Sequence, residues 1–379
     1  MIPEGWKLTK LAEGIELVSG QHVEAQYVNE EGAGEPYLTG PADFDGGKII
    51  SSKFTDFANK FCEEGDVLVT VKGSGTGRIV RADRRYAISR QLMSIKARGF
   101  DSNFLYFLVS SKVGSYEGAA AGLIPGISRV DILNADVLAP PVSEQIRIAK
   151  IISSWDEVIG VSERMLESSR KQKRALMQQL LAGKRRLPGF EGEWGKVELK
   201  EALDYQQPGQ FIVKSTEYSN NYKTPVLTAG KSFVLGYSNE EDGVYDQGLP
   251  VIIFDDFTTA SRLVGFPFKV KSSAIKILTS RPGFSVKYVF EAMQMIPFVV
   301  GGHQRHWISI FSNLVIPCPS FEEQKAIAEV LSQADAEIEA LQRRLDCLRQ
   351  EKKALMQQLL TGKRRVKVEA TAPTEEAAC

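Results

Sequence analysis

The chain has 379 residues, and its 47 lysines and arginines balance its 47 aspartates and glutamates. With 43% hydrophobic residues it supports more than one real core, which excludes a wholly disordered chain. No apolar run reaches membrane-spanning length and no secretory signal is legible, so a soluble, cytoplasmic protein with no membrane contact is expected. Neutrality by itself argues against a nucleic-acid partner.

Residues 1–139 are rich in glycine, proline, aromatic and β-branched residues and read as strands broken by turns. Asp66-Val-Leu-Val-Thr-Val71 is the clearest strand. Gly73-Ser-Gly-Thr-Gly-Arg78 follows it with the glycine content of a phosphate loop. It lacks the closing Gly-Lys-Ser/Thr, however, and a strand-like Arg78-Ile-Val-Arg81 stands where a helix is required. A flexible hairpin that carries Arg78 toward a polyanion fits better. From Lys72 to Arg98 there are eight bases (Lys72, Arg78, Arg81, Arg84, Arg85, Arg90, Lys96 and Arg98) against the single acid Asp83.

Residues 140–186 change character. Pro140-Pro141 excludes earlier helical turns, and Ser143 is placed to cap a helix. Ile148, Ile152, Trp155, Ile159, Ser162, Leu166, Ser169, Lys173, Leu176 and Leu180 then recur in steps of four and three, the seam of a coiled coil. Ala139-Pro-Pro-Val142 is similar to the Asn-Pro-Pro-aromatic motif of amino-methyltransferases but lacks both its ends, so it reads as the helix entry.

Residues 187–318 return to strands, such as Leu249-Pro-Val-Ile-Ile-Phe254 and Ala274-Ile-Lys-Ile-Leu278. Trp194 with Leu199 matches Trp6 with Leu11, and Val226-Leu-Thr228 matches Tyr37-Leu-Thr39. Asp255-Asp256 has no nearby Glu-x-Lys to complete a nuclease metal site, so a turn is the better reading. From Phe257 to Phe290 there are six bases and no acid: Arg262, Lys269, Lys271, Lys276, Arg281 and Lys287. Two basic stretches at equivalent places point to a phosphate-facing surface. His303-Gln-Arg-His306 is too small a set for a zinc site or a triad. It is either a loop satisfied locally or a contact to bases or phosphates, since glutamine and arginine read base edges bidentately. Gly126-Ile-Ser-Arg129 holds the analogous place before the first helix.

The second helical stretch, 319–365, follows Pro317-Cys318-Pro319. Its seam is Ile327, Leu331, Ala334, Ile338, Leu341, Leu345, Leu348, Lys352, Leu355 and Leu359. Ala175 to Arg186 recurs as Ala354 to Arg365 with one change, Ala182 to Thr361. Glu144-Gln145 answers Glu323-Gln324, and Asp156 answers Asp335. A fixed-offset repeat governs the fold. Trp155 opposite Ala334 suggests large-to-small packing across the seam. Gly183 and Gly362 sit at helix C-termini, each followed by Lys-Arg-Arg. Residues 366–379 read as a disordered tail. Cys62, Cys318, Cys347 and Cys379 show no paired spacing and read as reduced thiols. The order is domain, helix, domain, helix. Two antiparallel helices of about 60 Å, with a domain at each end of the rod, are expected.

Taken together these motifs resemble the specificity subunit of type I restriction-modification systems over nearly the full length. The resemblance rests on Pro3-Glu-Gly-Trp6, Gly65-Asp-Val-Leu-Val69 with Gly75-Thr-Gly77, and Gly126-Ile-Ser128. Most specific are Pro140-Pro-Val-Ser-Glu-Gln145 with Ile148-Ala149 and their repeat, Pro319-Ser-Phe-Glu-Glu-Gln324 with Ile327-Ala328. Two departures stand out: Asp255 to Ala260 replaces the glycine-rich loop, and Pro-Cys-Pro replaces the usual apolar-Pro-Pro.

The resemblance implies an α+β fold. Two mixed α/β target recognition domains, 1–139 and 187–318, are joined by two long antiparallel coiled-coil helices with a pseudo-two-fold repeat. It implies a non-catalytic subunit that binds a split double-stranded DNA target and recruits two modification subunits. Those would carry S-adenosylmethionine and methylate adenine, while a restriction subunit would bring ATP and Mg; this chain would hold no cofactor and no metal. The residues expected at DNA are Lys72, Ser74, Thr76, Arg78, Arg90, Gln91 and Arg129 in the first domain. In the second they are Lys231, Thr258, Thr259, Arg262, His303, Gln304, Arg305 and His306. A protein-binding scaffold that never touches DNA, and a nuclease in its own right, are the rival classes.

Overall fold

The structure, a computed structural model, describes residues 2–73, 75–119, 126–228, 232–298 and 306–367. Contacts gather them into two units, Met1–Glu163 with Arg344–Cys379, and Arg164–Arg343.

In the first unit, strands Ile15–Ser19, Leu92–Ala97, Val67–Thr70 and Ile79–Arg81 form an antiparallel sheet in that order. Val67–Thr70 is buried on both faces, so alternate residues enter different cores. Val67 and Val69 meet Phe104, Leu105 and Leu108 of helix α1 (Ser102–Ala119). Leu68 packs with Leu38, Tyr86 and Ile88. These belong to a second sheet, in which Glu35–Leu38 and Tyr86–Ile88 pair in parallel. The short helix α2 (Arg129–Leu133) starts at Ser128, whose side chain accepts from the Asp131 N–H. Lys7–Lys10 and Asp136–Ala139 then close the domain as an antiparallel pair, and helix α3 (Val142–Leu180) leaves it.

The second unit repeats this plan. Leu203–Gln206, Ile275–Ser280, Val251–Asp255 and Ser261–Val264 form its antiparallel sheet, and Thr224–Leu227 pairs in parallel with Lys269–Val270. Short helix α4 (Leu199–Ala202) follows its first strand, α5 (Val286–Gln294) covers its sheet, and α6 (Phe321–Leu360) leaves it. Ile252 and Phe254 meet Tyr288, Val289 and Met293 of α5, while Val251 and Ile253 face Leu227, Phe268 and Val270. The weak echo of Trp6–Leu11 in Trp194–Leu199 is structural. The Leu11 N–H donates to Ala135 O at 2.9 Å and the Leu199 N–H to Leu314 O at 3.0 Å.

The repeated sequence builds the same junction in both units. Glu144 is buried; it accepts from the Trp6 indole at 2.9 Å and from Arg365 at 2.8 and 3.0 Å. Glu323 is buried; it accepts from the Trp194 indole at 3.1 Å and from Arg186 at 2.6 and 2.7 Å. The adjacent glutamines hold the strand-rich domains: Gln145 Oε1 accepts from the Asp101 N–H at 2.8 Å and Gln324 Oε1 from the Ser285 N–H at 3.0 Å. Each arginine lies just beyond a helix that stops at a glycine in the left-handed region, Gly183 (φ 66°) or Gly362 (φ 69°). At Gly362 a Cβ would also stand 2.4 Å from Pro3 Cγ, so no other residue fits there without a shift.

Both seams are buried or half-buried at every position of the two series. In the first unit Arg349 pairs with Glu163 at 2.7 Å and Lys352 with Asp156; in the second Arg170 bonds Gln342 at 3.0 Å and Lys173 pairs with Asp335 at 2.6 Å. Numbers rise on one helix as they fall on the other, so the pairing is antiparallel. The two seam lysines are equivalent under the repeat, and so are their aspartate partners. Polar residues in a seam fix register, and here each lysine finds its counter-charge.

Several expectations are corrected. Trp155 and Ala334 fall in different units. Equivalent residues of an antiparallel pair face each other only near its middle, and Trp155 instead lines a cavity of about 590 Å³ with Ala354, Leu355 and Leu359. Ser143 does not cap α3, which already begins at Val142; the Pro141 carbonyl accepts from Glu144 and Gln145 instead. In α6 Ser320 does cap, accepting from the Glu323 N–H at 3.3 Å. Val366, expected in the tail, packs against the first core; residues 368–379 lie outside the described residues. Cys62, Cys318 and Cys347 are free, and burial pushes the Cys62 thiol up to about 12. No helix among the described residues is long and apolar enough to cross a membrane.

Removing one partner of a buried ion pair strands the other. Glu323→Ala should therefore lower unfolding stability by about 3 kcal/mol, read by urea denaturation. Glu339→Ala, which breaks an exposed pair with Arg343, should leave the midpoint nearly unmoved. Equal shifts would contradict the junction's role.

The seam pair has a pH signature. Burial penalises the charge of Asp335, but hydrogen bonds from Lys173 and Lys287 outweigh it and hold the carboxyl below its ordinary value. A lowered folded value means stability present above the unfolded value and lost as pH falls through the folded one. The gap in thermal midpoint between the native chain and Asp335→Asn should be steady near neutral pH and close below about pH 4. A gap that persists in acid would refute this.

Candidate nucleic-acid interface

The hairpin between Val67–Thr70 and Ile79–Arg81 is built on glycine. Gly73 (φ 92°) and Gly77 (φ 89°) take the left-handed region. Gly75 presses so closely on Pro41 that a Cβ would come within 2.4 Å of it. The loop is thereby pinned: Arg78 Nη1 donates to Pro41 O at 3.4 Å and the Val71 N–H donates to Gln91 O at 2.8 Å. Gln91 lies against Gly40, where a Cβ would meet its Oε1 at 2.4 Å. The Ile127 N–H donates to Val71 O at 2.9 Å, and Lys72 bridges Gly126. Lys72, Thr76, Arg78, Arg90 and Gln91 thus gather along one edge. Lys72, Arg78, Arg90 and Gln91 are exposed. Arg90 and Gln91 also line a cavity of about 430 Å³ with His22, Lys53, Tyr37 and Glu30.

The second unit has its loop at the same place, between Val251–Asp255 and Ser261–Val264, but builds it with carboxylates. Asp255 accepts from the Phe257 N–H at 3.0 Å and from the Thr258 hydroxyl. Asp256 accepts from the Trp307 N–H at 2.9 Å and pairs with Lys276 at 3.4 Å. Both carboxylates are therefore occupied, as a turn requires, and no metal-binding cluster occurs among the described residues. The His306 N–H donates to Asp256 O at 2.9 Å, as Ile127 does to Val71, so His306 and Ile127 hold analogous places in the two units. Thr259 is held at φ 61°, a rare conformation for a β-branched residue. Arg262 is exposed, with its guanidinium 4.8 Å from the Phe233 ring.

Known proteins resemble this chain in sequence and in fold. The family model described as the type I restriction modification DNA specificity domain matches residues 3–167 and again 191–349. The chain belongs to the family of type I restriction-modification specificity subunits. The EcoR124I/EcoR124II specificity subunit of Escherichia coli is 47% identical over 145 residues, which are 36% of this chain and 35% of that subunit. The MjaVIII specificity subunit of Methanocaldococcus jannaschii is 27% identical over 97% of this chain and 94% of its own length. The crystal structure of the S subunit from M. genitalium matches 95% of this chain and 96% of its own, with TM-score 0.62 at 18% identity. A second match comes from a study of complex assembly and conformational transition of the type I R-M system. It covers 96% of this chain and all of its own, with TM-score 0.57. At that identity the two structures speak to fold alone.

Placed on this specificity subunit, the expected DNA residues divide. His306 is fully buried, its ring edge-on to Phe298, so it is not a surface contact. Arg129 is exposed but donates to Ser19 Oγ at 2.9 Å and Leu17 O at 3.1 Å, bracing the strand Ile15–Ser19. Thr258 is exposed and Thr259 half-buried. Ser74, Lys231, His303, Gln304 and Arg305 lie outside the described residues. Most bases of the two stretches have partners within the fold. Lys269 is buried against Glu240 and Lys276 against Asp256; Arg281 pairs with Asp204, and Lys287 with Glu291 and Asp335. In the first unit Arg81 bonds Asn103, Arg84 covers Tyr86, Arg85 sits over Phe61 beside Glu35 and Glu63, and Arg98 pairs with Glu16. His22 and Lys53 escaped the sequence reading, because strand pairing alone brings them beside Arg90.

Arg78→Ala and Arg90→Ala should each weaken binding to all duplexes alike and flatten the salt slope by about one unit. Arg85→Ala, whose charge is already matched by Glu35 and Glu63, should leave the slope unchanged. The reverse pattern in salt titrations of the full chain would show that the edge is misassigned.

Proposed function

We propose that this specificity subunit reads a split double-stranded DNA target, one half-site per recognition domain, and supplies no reaction chemistry itself. The single observation that carries this reading is the equivalence of the two hairpin loops. They occupy the same place in two domains of one plan, yet one is glycine-built and basic while the other is carboxylate-braced. A shared frame with different contents suits the reading of two different sequences. Lys72, Thr76, Arg78, Arg90 and Gln91 serve the first half-site, and Thr258, Thr259 and Arg262 the second. Phosphate contacts would give affinity, and groove contacts from the same loops would give sequence choice.

The helix pair scaffolds two modification subunits and sets the unread spacer through its length. Methylating a base in duplex DNA requires extruding it into a pocket. Of the acidic pair weighed as a nuclease site, Asp255 is spent on its own turn and Asp256 on Trp307 and Lys276. The adenine chemistry, with S-adenosylmethionine, is therefore assigned to the modification subunits, and ATP and Mg to the restriction subunit.

The test is domain exchange. Residues 187–318 replaced by the matching domain of another family member should change one half of the methylated sequence, mapped across the genome of cells that also carry the modification subunit. The other half and the spacer should stay. A simultaneous change in both halves would contradict independent readers.

A further inference from the structure

Four charged side chains in the second unit form a closed ring. Lys173 of α3 lies 2.6 Å from Asp335 of α6 and 3.2 Å from Glu291 of α5. Lys287 of α5 lies 2.6 Å from Asp335 and 2.7 Å from Glu291. Each carboxylate touches both ammonium groups, so charge alternates around the ring. Three of its members are shielded, with side-chain exposures of 16% for Lys173, 19% for Lys287 and 1% for Glu291, while Asp335 at 40% closes the ring toward solvent. Shielded pairs with several donors hold geometry far better than exposed ones.

The first unit fills the same place differently. Its seam pair, Lys352 with Asp156, is the repeat of Lys173 with Asp335. Yet Lys352 meets the ring of Phe107 of α1, 5.4 Å from its centroid. Helices α1 and α5 are anchored alike, through Asp101 on Gln145 and Ser285 on Gln324. Counted from those anchors, Phe107 stands where Glu291 does and Asn103 where Lys287 does. The helices thus present one repeated Lys–Asp socket, and each recognition domain meets it with its own chemistry, an ion pair in one and an aromatic face in the other.

We propose that this socket is the seat that fixes the angle of each recognition domain on the helices. Lys287 and Glu291 are then positioning residues that set how sharply the complex selects the spacer between half-sites. One base pair adds about 3.4 Å and about a tenth of a turn to a spacer. A firmly seated domain cannot follow that change, whereas a loosely seated one can. This rests on the bipartite reading above.

The experiment measures binding of the full-length chain to duplexes that carry both mapped half-sites with spacers lengthened or shortened by single base pairs. Native chain should lose affinity on the order of tenfold per base pair, the size of a base-pair mismatch. Lys287→Met with Glu291→Gln removes both charges that α5 brings and keeps side-chain length. It should flatten the profile to less than about threefold per base pair. Its affinity for a duplex carrying only the second half-site should stay unchanged, which simple destabilisation would not leave intact. If the double variant does not fold by circular dichroism, Lys287→Met alone opens the ring while Lys173 still bridges both carboxylates, and it carries the same test. A variant profile as sharp as the native one overturns the seat. A flat profile in the native chain would instead overturn bipartite reading.

Discussion

A carboxylate buried in the first turn of each long helix organises what surrounds it. Glu144 and Glu323 would be costly there alone, since a shielded carboxylate loses several kcal/mol of hydration. Each is made tolerable by an indole N–H and a two-pronged guanidinium, and each lies at a helix N-terminus, where the backbone dipole favours negative charge. The geometry of these bonds is restrictive. The tryptophan comes from the first residues of a recognition domain, the arginine from just past the C-terminus of the other long helix, and the glycine stop aims that arginine. One anion thereby fixes where a domain starts, where one helix begins and where its partner ends.

This explains why the repeated residues cluster at the helix ends and along the seam. Those positions answer to each other: Glu144 needs Arg365, Glu323 needs Arg186, Lys173 needs Asp335 and Lys352 needs Asp156. A change at one leaves its partner's charge unmatched, so the two copies are held to the same solution. The hairpin loops carry no such obligation. They need only return the chain to the next strand, which glycine does in one domain and a carboxylate-braced turn does in the other. Divergent loops on a repeated frame follow from where the buried charges lie.

The repeat made the long helices legible. It placed both seams, both glycine stops and the Glu-Gln junctions, and the observed helices begin within a few residues of the proline boundaries. Strands such as Val67–Thr70 and Ile275–Ser280 were legible as apolar runs, and the match of Trp6–Leu11 to Trp194–Leu199 marked equivalent structure. What the sequence concealed was pairing. Equivalence under a repeat is not contact in an antiparallel pair, hence Trp155 and Ala334. A charge count is likewise blind to counter-charges distant in sequence. Lys276 reads as a surface base until the fold brings Asp256 and Gln207 to it. His306 reads as a loop residue until Phe298 and the Asp256 carbonyl enclose it.

The same bookkeeping resolves the tension between a neutral chain and a polyanionic target. Net charge says little when most cations are matched within the fold; the field a duplex meets comes from those left over. In the first unit Lys72 and Arg90 enter no ion pair among the described residues, and Arg78 spends only a long hydrogen bond on Pro41. In the second, the described loop offers Arg262 stacked on Phe233, two threonine hydroxyls and a backbone strained at Thr259. A strained turn is retained only where its surroundings over-determine it, and Asp255 does so through the Phe257 N–H and the Thr258 hydroxyl. The first domain's surface is thus suited to long-range attraction, which needs charge but little rigidity. The second's is suited to fit, which needs rigidity more than charge.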